Sequence, residues 1–108
     1  MSMQAAFAAA IDAIFRDANV AEDATWRPGD AGPGIAVRVV RKTPDQVVGF
    51  GDSRAVLPTV LIDVRASEIA SPASGDTVEI GTLVLEIIGT PVLNSLGLAW
   101  SCEAAPRD

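Results

Sequence analysis

The chain begins with a helical pattern of apolar residues. Between residues 3 and 18, large apolar side chains recur at intervals of three and four positions, which places them on one stripe of a helix. They are Phe7, Ile11, Ile14 and Phe15. The intervening positions are mostly alanine, which favours a helix, and we expect Asn19 to end it in the left-handed conformation. The helix either lies across the open end of a β-sheet core or forms an arm that orders on assembly.

Most of the remaining chain has the two-residue period of β-strands. Residues 35–42 alternate between apolar and polar side chains, and residues 55–64 and 96–103 are also rich in β-formers. The clearest element is a hairpin of residues 77–80 and 83–88, because the two-residue connection Gly81-Thr82 suits a type II′ turn. Two strands flank the turn-formers at 29–34. We expect residues 89–95 to form a loop.

These elements predict one mainly β (α+β) domain over residues 1–108. Five to seven short strands and one long helix indicate a small antiparallel β-sandwich or barrel with an N-terminal helix or arm at 1–19. Residues 43–54 form either a long mobile loop or an irregular hairpin that folds back on the core, and loops of this length are often functional. We expect a frayed tail at 104–108.

The composition argues against catalysis. The sequence contains no histidine, so the commonest general base and the Ser-His-Asp and Cys-His arrangements are missing. Asp76, Glu79 and Glu86 flank the hairpin, and we expect them at strand ends and on its solvated face rather than as an acid and base pair. The glycine-rich segment Gly49-Phe-Gly51 lacks the ending of a phosphate-binding loop. We therefore predict that the protein is not an enzyme and binds no metal or cofactor.

The charge, the single cysteine and the length of the apolar runs limit the classes of function that the chain can have. Fourteen acidic and eight basic residues give a net charge of -6, which disfavours a protein that reads nucleic-acid grooves. Cys102 is the only cysteine, and we expect it to be a small core residue. No apolar run approaches about 18 residues and the start lacks a cationic signal region, so we expect cytoplasmic synthesis and no membrane contact.

Several motifs together resemble the head-tail attachment family of lambda-like phages and prophages. The resemblance is carried by Val64-Arg-Ala-Ser-Glu-Ile69, by Gly75-Asp-Thr-Val-Glu-Ile-Gly81 and by a closing strand with Leu98-Ala-Trp100. It extends over most of the chain, including the alanine-rich helix and the long middle loop. Proteins of this family are structural components of the virion neck, where they join the DNA-filled head to the tail.

The resemblance implies a set of partners and places. On the particle the protein would form a ring of six copies, although it could be a monomer when free. The ring would contact the portal-adaptor or head-completion protein on one side and the tail terminator on the other. Assembly would occur in the host bacterial cytoplasm, and DNA would pass through the ring without specific binding.

The resemblance also implies candidate contact residues, because the N-terminus and the middle loop of family members order on assembly. The candidates for partner binding are Phe7, Ile11, Phe15, Val47, Val48, Phe50 and Arg54. Asp45 and Asp52 are candidates for lining the ring lumen, where carboxylates would repel the phosphate backbone.

Three other interpretations remain open at this point. The chain could be another neck or tail component such as a tail terminator, a small β-barrel that binds a peptide or apolar ligand, or an enzyme that uses carboxylates. A ligand-binding barrel predicts a preformed apolar cavity and a rigid loop at 43–54. A joining protein instead predicts segments that become protected only on the particle.

Overall fold

Six antiparallel strands close into a barrel beside one helix. The structure is a computed structural model and describes residues 3–42 and 59–107. The elements are α1 Met3–Arg16, β1 Glu22–Arg27, a short 3-10 helix Pro28–Asp30, β2 Ile35–Lys42, β3 Val60–Arg65, β4 Thr77–Ile80, β5 Leu83–Leu93 and β6 Ala99–Pro106. Around the barrel the strand order is β1-β2-β3-β6-β5-β4, and β4 pairs with β1 to close it. The predicted mainly β fold with an N-terminal helix is confirmed.

Alternating residues of every strand fill the inside of the barrel. The buried cluster combines one large aromatic residue with branched aliphatic residues and two small residues of β6. Its fully buried members are Trp26, Val39, Ile62, Val64, Val78, Leu85, Ile87, Cys102 and Ala104. Ile69, in the turn that follows β3, joins the same cluster. Burying a side chain of Val, Leu or Ile stabilises a fold by about 1.5–3 kcal/mol, so this cluster supplies most of the driving force.

A buried carboxylate connects three segments near the closure of the barrel. Asp76, which directly precedes β4, is 5% exposed, so the expectation that it lies at a solvated strand end is wrong. Its Oδ2 accepts hydrogen bonds from Trp26 Nε1 at 3.0 Å and from the Ala73 backbone N–H at 2.9 Å. Its Oδ1 accepts one from the Gly29 backbone N–H at 2.8 Å. Because a buried carboxylate is costly without donors, these three bonds are what allow Asp76 to lie there.

The predicted β2 and the β4–β5 hairpin are confirmed. β2 covers Ile35–Lys42 and buries Val37 and Val39. In the connection between β4 and β5, Gly81 has a φ of 61° while Thr82 has no positive φ, as a type II′ turn requires. In β3, Ile62 and Val64 are buried as predicted. Residues 43–58, with the predicted loop at 43–54, lie outside the described residues.

The predicted helix end is wrong. α1 ends at Arg16. Among the described residues, Asp30 is the one non-glycine residue with a positive φ, so Asn19 is not in the left-handed conformation. Instead, the carboxylate of Asp17 accepts a hydrogen bond from the Asn19 backbone N–H at 2.8 Å. Such a local side-chain bond competes with continuation of the helix and forms a turn without a glycine-like conformation.

The predicted loop at 89–95 is wrong for residues 89–93, and the predicted frayed tail at 104–108 is wrong for residues 104–106. β5 continues to Leu93 through a register shift between Ile88 and Val92, and this bulge accommodates Gly89 and Pro91 within the strand. β6 begins later than predicted and continues to Pro106. Ala104 is fully buried, since it faces the core between β3 and β5, and burial keeps this end of the chain in the sheet.

The buried carboxylate gives a stability prediction. Asp76→Asn keeps the shape of the side chain but replaces one acceptor oxygen with an NH₂ group, so at least one of the three donors loses its partner. We expect the free energy of unfolding to fall by about 2–3 kcal/mol. Urea unfolding followed by tryptophan fluorescence measures it. Glu103→Gln, at an exposed carboxylate, is the control and should change stability by less than about 0.5 kcal/mol. Equal effects of the two variants would contradict the assigned role.

The lone cysteine gives a second prediction. Cys102 is fully buried in β6, and desolvation raises the pKa of its thiol to about 12. At pH 8 it should carry about a thousandfold less thiolate than a thiol of ordinary pKa, so alkylation of the folded protein should be very slow. Iodoacetamide labelling followed by mass spectrometry tests this, with urea-unfolded protein as the control. Equal labelling rates with and without urea would contradict the burial of Cys102.

Candidate interaction surface

Two arginines of the barrel wall bind the helix. Arg38 and Arg65 belong to β2 and β3, and their side chains point away from the barrel core. Arg38 Nε donates a hydrogen bond to the Phe15 backbone oxygen at 2.9 Å, near the carboxyl end of α1. Arg65 Nη1 pairs with Asp12 at 3.0 Å, and its guanidinium lies 5.3 Å from the centroid of the Phe15 ring. The helix therefore packs on the outside of a core to which it contributes no side chain.

The apolar residues of the helix are divided between two directions. Phe15 is 3% exposed and Ile11 is half-buried, so both face the barrel. Phe7 and Ile14 are 43% and 45% exposed, and Met3 extends the same row. We call Met3, Phe7 and Ile14 the helix stripe. Packing of the helix on the barrel thus uses one part of the predicted apolar face and leaves the other part exposed.

A second exposed apolar surface lies at the end of the β5–β6 hairpin. β4 pairs with β5 only as far as Glu86, and β5 then continues to Leu93 with β6. We call residues 89–99 the ribbon. Its exposed large side chains are Val92, Leu93 and Leu96. Val92 and Leu93 are consecutive residues of β5, so they point to opposite faces of the ribbon.

The turn of the ribbon is held in one conformation by Asn94. The Asn94 side-chain oxygen accepts a hydrogen bond from the Leu98 backbone N–H at 2.9 Å, and its backbone oxygen accepts one from Gly97 at 3.0 Å. Gly97 has a φ of 72°, which glycine adopts without strain. A preorganised turn loses little conformational entropy when it binds a partner.

The helix stripe and the ribbon meet at one end of the molecule. Gln4, between the first two residues of the stripe, donates a hydrogen bond from Nε2 to the Leu96 backbone oxygen at 3.0 Å. The stretches that form this end, residues 3–11 and 87–102, contain no charged residue. We call Met3 and Phe7 of the helix stripe, together with Leu96, the neutral face. On a chain with a net charge of -6, a rigid uncharged apolar surface is a candidate protein interface.

Elsewhere on the surface, cations are paired with carboxylates. The pairs are Arg27–Glu79, Arg38–Asp23, Arg41–Glu22, Lys42–Asp63, Arg65 with Asp12 and Glu68, and Arg107–Asp30. Hydrogen bonds from Arg107 and Thr77 hold the pKa of Asp30 below its ordinary value. Within residues 3–42 and 59–107, Arg16 is the one cation without such a pair. Each exposed pair adds at most about 1 kcal/mol to stability, but together they leave little free positive charge for phosphate.

A groove lies between the helix and the ribbon, beside the contact between Gln4 and Leu96. It has a volume of about 340 Å³ and is lined by Ala8, Ile11 and Leu98 and by the Asp12–Arg65 ion pair. In the described part of the chain, no three side chains of the metal-binding types are grouped for an ion. Among the same residues, no helix is long and apolar enough to cross a membrane.

The structure separates the candidate contact residues named from the sequence. Phe7 lies on the neutral face, Ile11 lines the groove, and Phe15 is buried against Arg65. The remaining candidates, Asp45, Val47, Val48, Phe50, Asp52 and Arg54, lie outside the described residues. The sequence interpretation missed Met3, Val92, Leu93 and Leu96. The uncharged run of sixteen residues at 87–102 was the available signal, but Pro91 and Asn94 favoured a loop there.

Comparison with known families identifies the chain. Residues 3–104 match the family model of the Phage Head-Tail Attachment protein. The matched region includes α1, strands β1 to β5, the ribbon and β6 as far as Ala104. No curated protein matches the sequence. The chain belongs to the phage head-tail attachment family, and it is a structural connector of the virion neck.

Proposed function

We propose that this protein forms a ring between the portal-adaptor or head-completion protein and the tail terminator. The ring assembles in the host bacterial cytoplasm, contains six copies and lets DNA pass without binding it specifically. The observation that carries the proposal is the neutral face, because its exposed apolar side chains suit it to protein contact. The chain that bears this surface belongs to a family of head-tail attachment proteins. The scarcity of unpaired cations among residues 3–42 and 59–107 agrees with free passage of DNA.

The helix stripe supplies one set of contacts in this proposal. Phe7 is 43% exposed on a helix whose opposite side is already fixed to the barrel. Burying such an apolar side chain at an interface contributes about 1.5–3 kcal/mol, and it requires no new ordering of the helix. Ile11, at the edge of the groove, extends the contact. Phe15 is excluded because its side chain is already buried within the chain.

The segment at 43–54 supplies the other proposed contacts. Val47, Val48 and Phe50 are apolar residues in a stretch rich in turn-formers, and Arg54 adds a cation at its end. Apolar anchors of this kind contribute most when a partner desolvates them.

In the same proposal Asp45 and Asp52 line the lumen, where their charge repels DNA. Replacement of both by lysine should then slow DNA release without altering assembly, whereas unchanged release would argue against this placement.

A joining assay tests the proposed function. Tailless, DNA-filled heads from a strain that lacks this protein are incubated with the purified chain and then with tails, and infectious particles are counted. We expect the protein to cosediment with the heads and to restore joining. Because the neutral face carries no charge, Phe7-dependent binding should change little between about 50 and 500 mM NaCl. A protein that binds free tails but ignores the heads would favour a terminator role instead.

Two helix variants make the assay specific to the neutral face. Phe7→Asp places a charge in the proposed interface and should reduce joining at least tenfold, because an unpaired carboxylate would have to be desolvated there. Ala9→Asp places the same charge on an exposed position of the same helix, away from the helix stripe, and should join normally. Circular dichroism checks that both variants retain the helix. Equal joining by the two variants would remove the helix stripe from the proposal.

A further inference from the structure

A shallow depression lies on the outer wall of β1, β2 and β4. Its volume is about 350 Å³. The lining consists of Asp23, Ala24, Thr25, Ala36, Val37, Glu79 and Gly81. Thr25 and Ala36 are paired across β1 and β2, and both point outwards, so two small side chains are adjacent where larger ones would fill the space. The wall is therefore concave at this point.

The depression is electrically balanced although carboxylates border it. Glu79 pairs with Arg27 at 2.7 Å, and Asp23 pairs with Arg38 at 2.9 Å. An uncharged surface that binds in the depression would therefore bury no unpaired charge. Burial of unpaired charge is the main free-energy cost of covering a surface bordered by charged side chains. A phosphate group, in contrast, would meet two carboxylates and, among the described lining residues, no unpaired cation.

The depression and the ribbon lie on opposite sides of the barrel. In the closed order β1-β2-β3-β6-β5-β4, two strands separate β1 from β6 in either direction, and two separate β2 from β5. The ribbon is built from β5 and β6, whereas β1 and β2 form most of the depression. One side of each subunit thus presents a rigid uncharged projection, and the other side presents a neutral concavity.

We propose that the ribbon of one copy binds in the depression of the next copy around the ring. This inference rests on the proposed ring at the neck. A contact between two different surfaces is a head-to-tail contact, and such contacts generate rings when the rotation closes. Val92, which is 64% exposed and paired with Ser101, supplies the apolar side chain, and the small residues Thr25 and Ala36 receive it.

The charge distribution favours a second copy as the occupant. Each chain carries a net charge of -6, so two copies repel each other unless they meet through surfaces without net charge. The ribbon and the depression are both surfaces of this kind, and they occur on the same chain. Ring contacts made in this way leave the helix stripe available for the head or tail protein.

Paired cysteines test the contact directly. The double variant Val92→Cys, Ala36→Cys is treated with a short bifunctional maleimide, both in concentrated solution and after loading on tailless heads. A head-to-tail contact predicts a ladder of covalent multimers from the double variant and almost only monomer from each single variant. Cys102 should not interfere, because it is buried. Dimers from Val92→Cys alone would indicate ribbon-to-ribbon pairing and overturn the proposal, as would the absence of a ladder under both conditions.

Opposite charges provide a second test that does not depend on the linker. Val92→Asp and Ala36→Arg should each reduce multimers on the heads at least tenfold. The double variant should restore them, because the new carboxylate of one copy then faces the new guanidinium of the next. Ala70→Asp and Ala70→Arg introduce the same charges at an exposed turn outside both surfaces and should have no effect. Failure of the double variant to recover would contradict the contact.

The two proposals fail in distinguishable ways. If the unaltered protein joins heads to tails but Val92→Asp and Ala36→Arg join equally well, the proposed function stands and the ribbon contact is wrong. If the unaltered protein neither binds heads nor restores joining, the neck assignment is wrong. The ladder measured in solution then still decides whether the ribbon binds the depression.

Discussion

A barrel closes only when the two strands at the edges of its sheet pair with each other. In this barrel the closing pair is β1 with β4. It is the shortest strand pairing, with three residue pairs from Thr25 to Arg27. Asp76 compensates for the short ladder, because its buried carboxylate accepts hydrogen bonds from Trp26, Gly29 and Ala73. Inside a low-dielectric core these charge-assisted bonds are strong, and losing any one of them is costly. The depression that includes Glu79 and Gly81 is therefore built directly on the junction that Asp76 holds.

The strands could be predicted from the sequence wherever one side of the sheet is buried and the other is wet. β2 follows this rule over its whole length, and the β4–β5 hairpin adds a turn that needs glycine. The rule failed at residues 89–95, where Gly89 and Pro91 normally indicate a loop. A bulge within β5 accommodates both residues, and long-range pairing with β6 supplies the stability that local propensity lacks.

The helix shows why the interaction surface was harder to predict than the fold. Periodicity placed Phe7, Ile11, Ile14 and Phe15 on one face, but it contains no information about which of them the barrel covers. That choice depends on Arg38 and Arg65, which are distant in sequence and fix the carboxyl end of α1. Similarly, the exposure of Val92 follows from the point at which β4 stops pairing with β5, and no local signal marks that point.

Charge pairing would allow this acidic chain to assemble with its own copies in the proposed ring. Ion pairs across neighbouring elements, such as Arg27–Glu79 and Arg38–Asp23, neutralise the wall of the barrel without contributing much stability. Their larger effect is to leave surfaces on which neither attraction to DNA nor repulsion between copies dominates. Apolar contact can then decide the association, and shape can decide its direction. The proposed ring would benefit from both properties, because its subunits would have to bind one another without binding the phosphate backbone of the DNA that passes through.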